Sequence, residues 1–236
     1  MKNIGAKSAP RAARAAGQGE EQIQPRAAAH GILKKRAAQQ QKAPEPPRKG
    51  RLIALEGSGG NTLAMAAKRL KKSLKKEGGR AGVSPWDASG IFYDILQGPR
   101  EVPGATPRTI LLLYAADVAF RLRWQILPAL EQGATVIAAP YVETGIAFGR
   151  AAGIPLAWLR ELFSFAPPAH ASYRLEEDRI PPLKRGKPAD NFLEFAFLQM
   201  RRGSGRWPSE ELRGEFLAYL QSLEARGQCT LLTLGK

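Results

Sequence analysis

Leu52-Ile53-Ala54-Leu55-Glu56-Gly57-Ser58-Gly59-Gly60-Asn61-Thr62-Leu63-Ala64 decides how the rest of the chain is read. The run Leu52–Leu55 has the composition of a buried strand, and the glycines after it supply the backbone freedom of a tight turn. Beyond the turn, Leu63, Ala66, Ala67, Leu70 and Leu74 recur at the spacing of one helix face. Strand, glycine turn and helix are the setting of a phosphate-binding loop, G-x-x-x-x-G-K-[S/T]. In such a loop the backbone N–H groups cradle phosphates, the Lys neutralises them and the Ser or Thr holds Mg²⁺. With Gly57 as the first glycine, the last three positions of the pattern fall on Thr62, Leu63 and Ala64. The frame of the loop is present and its charged and magnesium-binding side chains are absent. Gly57, Gly60 and Thr62 remain as candidate nucleotide contacts, because a helix N-terminus there still offers free N–H groups.

The chain has 236 residues, 44% of them hydrophobic, enough for one sizeable core. Its formal charge of +15 is unevenly placed. Residues 1–50 hold eleven basic side chains against three acidic ones, with few large aliphatics, and they end in Pro44-Glu45-Pro46-Pro47. Such a segment buries too little to offset its ordering entropy, so a disordered basic tail over 1–50 is expected ahead of an α/β domain over 51–236. The lone Cys229 forms no internal disulfide, no apolar run reaches the length of a membrane span, and a cytoplasmic protein with no membrane contact is expected. His30 and His170 have no partner at metal-ligand spacing, and no metal site is expected.

From Arg51 onward short apolar runs alternate with helical patterns, as in βα units on a parallel sheet. Strands are expected near Arg51–Leu55, Arg80–Ser84, Ala134–Ala139, Ala171–Leu175 and Cys229–Leu234. A long helix is expected from Pro107, suited to a first helical position, to Gln132, with Gly133 as its stop. Its buried stripe is read as Leu111, Leu112, Ala115, Ala119 and Leu122. Another helix is expected from an N-cap at Ser209 to a stop at Gly227, and Arg179–Pro188 reads as a basic surface loop. Lys68, Arg69, Lys71, Lys72, Lys75 and Lys76 fall on the polar face of the first helix, either as a solvated face or as a patch for nucleic acid or an acidic partner.

Over roughly Arg51 to Lys236 these residues resemble the thymidylate kinases. The resemblance runs through Leu55–Leu70, Leu112-Leu113-Tyr114-Ala115-Ala116-Asp117, Ile126–Ile137 and Tyr141–Gly149. It implies a three-layer P-loop kinase-like fold with a five-stranded parallel sheet. At the matching positions most of the family's chemical groups are replaced. The loop aspartate falls on Gly59, the loop Lys and hydroxyl on Leu63 and Ala64, the Asp-Arg pair before the tyrosine on Ala139-Pro140, and the Arg after the A-A-D step on Val118. The family's R-E-P-G-G-T is reduced to Val83–Ser89. The resemblance also places Tyr141 and Phe148 near the family's thymidine pocket and Arg185 in its lid, which makes all three candidate nucleotide contacts.

Phosphoryl transfer depends almost wholly on positioning and charge stabilisation, and each lost donor raises the barrier by roughly 3–4 kcal/mol. The expectation is therefore a degenerate thymidylate kinase-like protein, a pseudoenzyme acting by binding or regulation, with no catalytic residue and no cofactor. One alternative is an active nucleoside monophosphate (dTMP) kinase that uses ATP and Mg²⁺ with a non-standard loop and the lid cations Arg179, Lys184, Arg185 and Lys187. The other is a nucleic-acid-associated protein acting through residues 1–50, which requires salt-sensitive binding that is lost with the tail. Expected partners are a second copy, as is common in the family, or a homologous subunit, and nucleic acid or an acidic partner for residues 1–50.

Overall fold

In the computed structural model, residues 50–58, 60–97, 104–176, 192–204 and 208–233 are described. The chain divides between Glu45 and Pro46, and everything described belongs to the second unit. The expectations for the 1–50 tail and for the lid lie outside the described residues. Arg51–Glu56 forms β1, and Gly60–Lys76 forms α1 across the glycine turn, as the sequence predicts. Ala81–Pro85 (β2), Ile91–Gln97 (α2) and Pro107–Arg121 (α3) follow. α3 continues through a π turn at Leu122–Ile126 into α4, Leu127–Glu131. The remainder is Thr135–Ala139 (β3), Val142–Ala151 (α5), Leu156–Leu162 (α6), Ala171–Leu175 (β4), Phe192–Ser204 (α7), Glu210–Ala225 (α8) and Thr230–Leu232 (β5).

All strand pairs are parallel, in the order β2-β3-β1-β4-β5. Each predicted strand is present, with ends shifted by one residue at β1, β2 and β3, while the last, expected over Cys229–Leu234, spans Thr230–Leu232, Leu234 lying outside the described residues. Strand alternation sends side chains to two different cores. Leu52, Ala54, Val136 and Ala138 pack with α2, α3, α5, α7 and α8, whereas Leu55, Ile137, Ala139 and Leu175 pack with Leu63, Ala66 and Ala67 of α1. Helices therefore cover both faces and make the three-layer arrangement. His170 extends the ladder before β4: its N–H donates to Leu52 O at 2.8 Å and its Nδ1 accepts from Leu52 N at 3.1 Å.

The long helix shows why sequence reading reaches only so far. Its start is as expected, with Thr106 accepting from Thr109 N–H at 3.2 Å and Pro107 in the first turn. Gly133 ends it at φ 74°, where Ala134 N–H reaches back to Ala129 O at 3.0 Å. The interior departs from the reading. Pro128 has no N–H for the preceding turn, and the helix widens just before it so that Leu127 N–H bonds to Leu122 O, five residues back. The buried stripe also needs correction. Leu112 is 54% exposed and Ala119 is exposed, while Ile110, Leu111, Tyr114, Ala115, Val118 and Leu122 are buried together with Asp117 and Arg121. A paired carboxylate and guanidinium turn inward, and this sets the helix phase against the apolar count.

Two glycines let α5 approach its neighbours. A Cβ on Gly145 would lie 2.8 Å from the rings of Tyr114 and Phe163, and one on Gly149 would lie 2.4 Å from Leu159 Cδ2. Ser209 caps α8 by accepting from Leu212 N–H at 3.2 Å, and Gly227 ends it at φ 68°.

Candidate functional site

Chain direction reverses across the sheet between β3 and β1. The chain from β1 crosses to β2 on one side, and the chain from β3 crosses to β4 on the other. In open parallel sheets, ligands bind beyond the carboxyl ends of the strands at such a switch point. Here those ends supply Glu56-Gly57-Ser58 after β1 and Ala139-Pro140-Tyr141 after β3, with a cis bond between Ala139 and Pro140.

Glu56 organises this region. Its side chain is fully buried and accepts from Tyr141 N–H (3.2 Å), Glu143 N–H (3.2 Å), Thr144 N–H (2.9 Å) and Thr144 Oγ1 (2.6 Å). Three of those four donors are backbone groups at the N-terminus of α5, so the carboxyl caps a helix that has no side-chain cap of its own. Burial pushes the Glu56 pKa up to about 7, against the pull of the Thr144 hydroxyl and the backbone donors. Thr144 Oγ1 in turn accepts from Gly57 N–H at 3.2 Å, which occupies the first amide of the glycine turn.

A second buried network ties α3 to the ends of β2 and β3. Arg121 Nη1 donates to Pro140 O at 2.8 Å and to Ser84 O at 3.4 Å, and Arg121 Nε lies 3.0 Å from Asp117 Oδ2. Asp117 Oδ1 accepts from Ser89 N–H (3.1 Å) and Ser89 Oγ (2.8 Å), and Ser84 Oγ donates to Gln125 in the π turn at 2.8 Å. Tyr114 donates to Tyr141 O at 2.6 Å, and burial drives its pKa well above the ordinary tyrosine value, which keeps the hydroxyl a donor. Neighbouring Asp87 accepts from Phe92 N–H and Tyr93 N–H at 3.0 and 2.9 Å, fixing the start of α2.

The sequence-predicted site residues meet different fates. Leu63 is 2% exposed and packs in the α1 core against Leu55, Ile137 and Leu175, while Ala64 faces solvent. Gly57 stands in the turn and Gly60 and Thr62 in the first turn of α1. Gly59 lies outside the described residues. Val118 and Ala139 are core residues, and the Pro140 carbonyl is held by Arg121. Tyr141 is buried, and its hydroxyl donates to Pro167 O at 2.8 Å. Phe148 is fully buried with its ring edge-on to Phe192 at 5.5 Å, so in this structure it packs the core. Arg185 lies outside the described residues. On α1, five lysines (Lys68, Lys71, Lys72, Lys75 and Lys76) line one surface depression of about 360 Å³.

Sequence reasoning missed the two buried networks, Glu56 with Thr144 and Asp117 with Arg121. For the last two a signal was available: opposite charges four residues apart inside an apolar run. Glu56 carried no such signal, since its partners are 85 to 88 positions away. Among the described residues, no group of three or more His, Cys, Asp or Glu side chains is placed to hold a metal ion, and no helix is long and apolar enough to cross a membrane.

No protein-family model matches the chain. It is similar to a probable thymidylate kinase of Pyrococcus abyssi, 29% identical over 161 residues that cover 65% of this chain and 78% of that protein. A probable thymidylate kinase of Pyrobaculum calidifontis is 29% identical over 154 residues, covering 63% and 74% respectively. One of Pyrococcus horikoshii is 28% identical over 199 residues, covering 73% and 97%. With the parallel five-stranded sheet and the glycine turn between β1 and α1, these similarities make the chain a relative of the thymidylate kinase family.

Proposed function

We propose that this chain is a thymidylate kinase-like pseudoenzyme, one that keeps the scaffold and acts by binding while transferring no phosphate. The observation that carries this reading is the burial of Leu63, whose side chain fills the core under α1 at the position of the loop lysine. The donors nearby do not suit a magnesium-bound triphosphate. Glu56 caps α5, Asp117 is paired with Arg121, Ala64 has no hydroxyl, and Pro140 presents a carbonyl already bonded to Arg121. Each missing donor is worth roughly 3–4 kcal/mol of barrier, and several are missing at once. A coupled ADP-release assay with ATP, dTMP and Mg²⁺ is expected to read at blank. Magnesium-dependent turnover that disappears on Arg185→Ala would instead establish the active-kinase alternative.

A binding role needs a surface, and the long helix offers one. Leu112, Phe120, Trp124 and Leu127 are exposed along α3, the π turn and α4, with Trp124 at 66%. An exposed apolar face on one helix suits an isologous contact with the same face of a second copy, or with a homologous subunit. Light scattering at micromolar concentration should give twice the chain mass, falling to the single mass in Trp124→Glu. A parent chain that is monomeric at high micromolar concentration removes the proposal.

A further inference from the structure

A cleft of about 450 Å³ opens between α5, α6 and the C-terminal end of α8, a volume within the range of small-molecule sites, about 300–1,000 Å³. Its walls carry three guanidinium groups from three parts of the chain: Arg150 on α5, Arg160 on α6 and Arg226 just after α8. Against them stands one carboxylate, Glu143, which already accepts from the Tyr219 hydroxyl at 2.9 Å. Arg226 is fixed in place. Its Nη1 donates to Ser222 Oγ at 2.9 Å, its Nε donates to Gln228 Oε1 at 3.0 Å, and its guanidinium stands 5.8 Å from the centre of the Tyr219 ring. Among the described residues, Arg150 and Arg160 form no ion pair and donate no hydrogen bond. The rest of the wall is apolar, from Ile146, Leu156 and the Tyr219 ring.

We infer that this cleft binds an organic phosphate, with the guanidinium groups holding the phosphate and the apolar wall taking the carbon body. Arginine suits this because its planar fork matches phosphate oxygens two at a time, and its weak hydration lowers the desolvation penalty. Two of the three groups are uncommitted among the described residues, and the third is preorganised by Ser222 and Gln228. The wall of Ile146, Leu156 and Tyr219 then separates an organic phosphate from the bare ion. None of the residues of the glycine turn lines the cleft, so the inference stands whether or not the chain transfers phosphate.

The test is calorimetric titration of the full chain, at fixed ionic strength in chloride, with phenyl phosphate and with inorganic phosphate. Phenyl phosphate should bind at one saturable site, about tenfold more tightly than inorganic phosphate. The Arg150→Ala/Arg160→Ala double variant should weaken it by about a hundredfold, from the loss of two charge-assisted contacts. Lys72→Ala/Lys75→Ala removes the same charge from α1 and should leave the affinity unchanged. Both pairs should leave thermal unfolding unchanged. As a check on the parent chain, phenyl phosphate should shift the backbone amide resonances of Arg150 and Gln228. Absence of saturable binding, equal weakening by the two double variants, inorganic phosphate binding as tightly as phenyl phosphate, or shifts confined to the glycine turn would each overturn the inference.

Discussion

Glu56→Ala should destabilise the fold by about 3–5 kcal/mol, because it strands buried donors at the start of α5 and removes the one acceptor that serves all four. Glu56→Gln should cost much less, about 1–2 kcal/mol. An amide oxygen can keep the three contacts now made by Oε2, while its nitrogen faces the Glu143 N–H that Oε1 accepts. The pH dependence separates the two effects. The folded-state pKa is raised from 4.5 to about 7, so the protein binds the Glu56 proton more tightly when folded. The resulting stabilisation is fully present below pH 4.5, declines as pH rises toward about 7 and is gone above it. Its size follows from that shift as about 3 kcal/mol. Asp87, also raised by burial, contributes in the same direction, so the measurement is the difference between parent and Glu56→Gln in urea unfolding from pH 4.5 to 8. Identical pH profiles for the two proteins would refute the assignment.

Leu63→Lys, the substitution that would restore the phosphate-loop pattern at this position, should destabilise the chain by several kcal/mol and yield no ADP. An ammonium group at a 2% exposed site between α1 and the sheet would be desolvated without a partner. Leu63→Met, which preserves volume and polarity, should cost less than about 1.5 kcal/mol. Denaturant unfolding of the three proteins, paired with the ADP assay, decides the matter. A Leu63→Lys chain as stable as its parent, binding ATP, would mean that the turn can re-aim this side chain toward solvent.

Most of the fold was legible in local pattern. β1 and α1 around the glycine turn, the strands at Ala81 and Ala171, the Thr106–Pro107 start and the Gly133 stop all follow from composition and turn chemistry that act over a few residues. The phase of the long helix did not follow. Period counting assigns Leu112 and Ala119 to the core, whereas the mutual neutralisation of Asp117 and Arg121 lets two charges go inside and rotates those two residues out. The π turn was equally hidden, although Pro128 marks where it must lie. The glycine turn could be recognised from its neighbours in sequence. Glu56 became informative only once α5 was placed against it, and the arginine cleft only once α5, α6 and α8 converged.

The order β2-β3-β1-β4-β5 also bears on how the domain is assembled during synthesis. Among the described residues, the first two strands to leave the ribosome, β1 and β2, are not neighbours, since β1 pairs with Thr135–Ala138 on one side and with Ala171–Arg174 on the other. Leu52–Leu55 therefore emerges with both hydrogen-bonding edges open and keeps them so until a further eighty or so residues have been translated. For that interval the most apolar strand of the nascent chain is an unpaired edge, the kind of surface that holdase chaperones shield and that seeds aggregation when they do not.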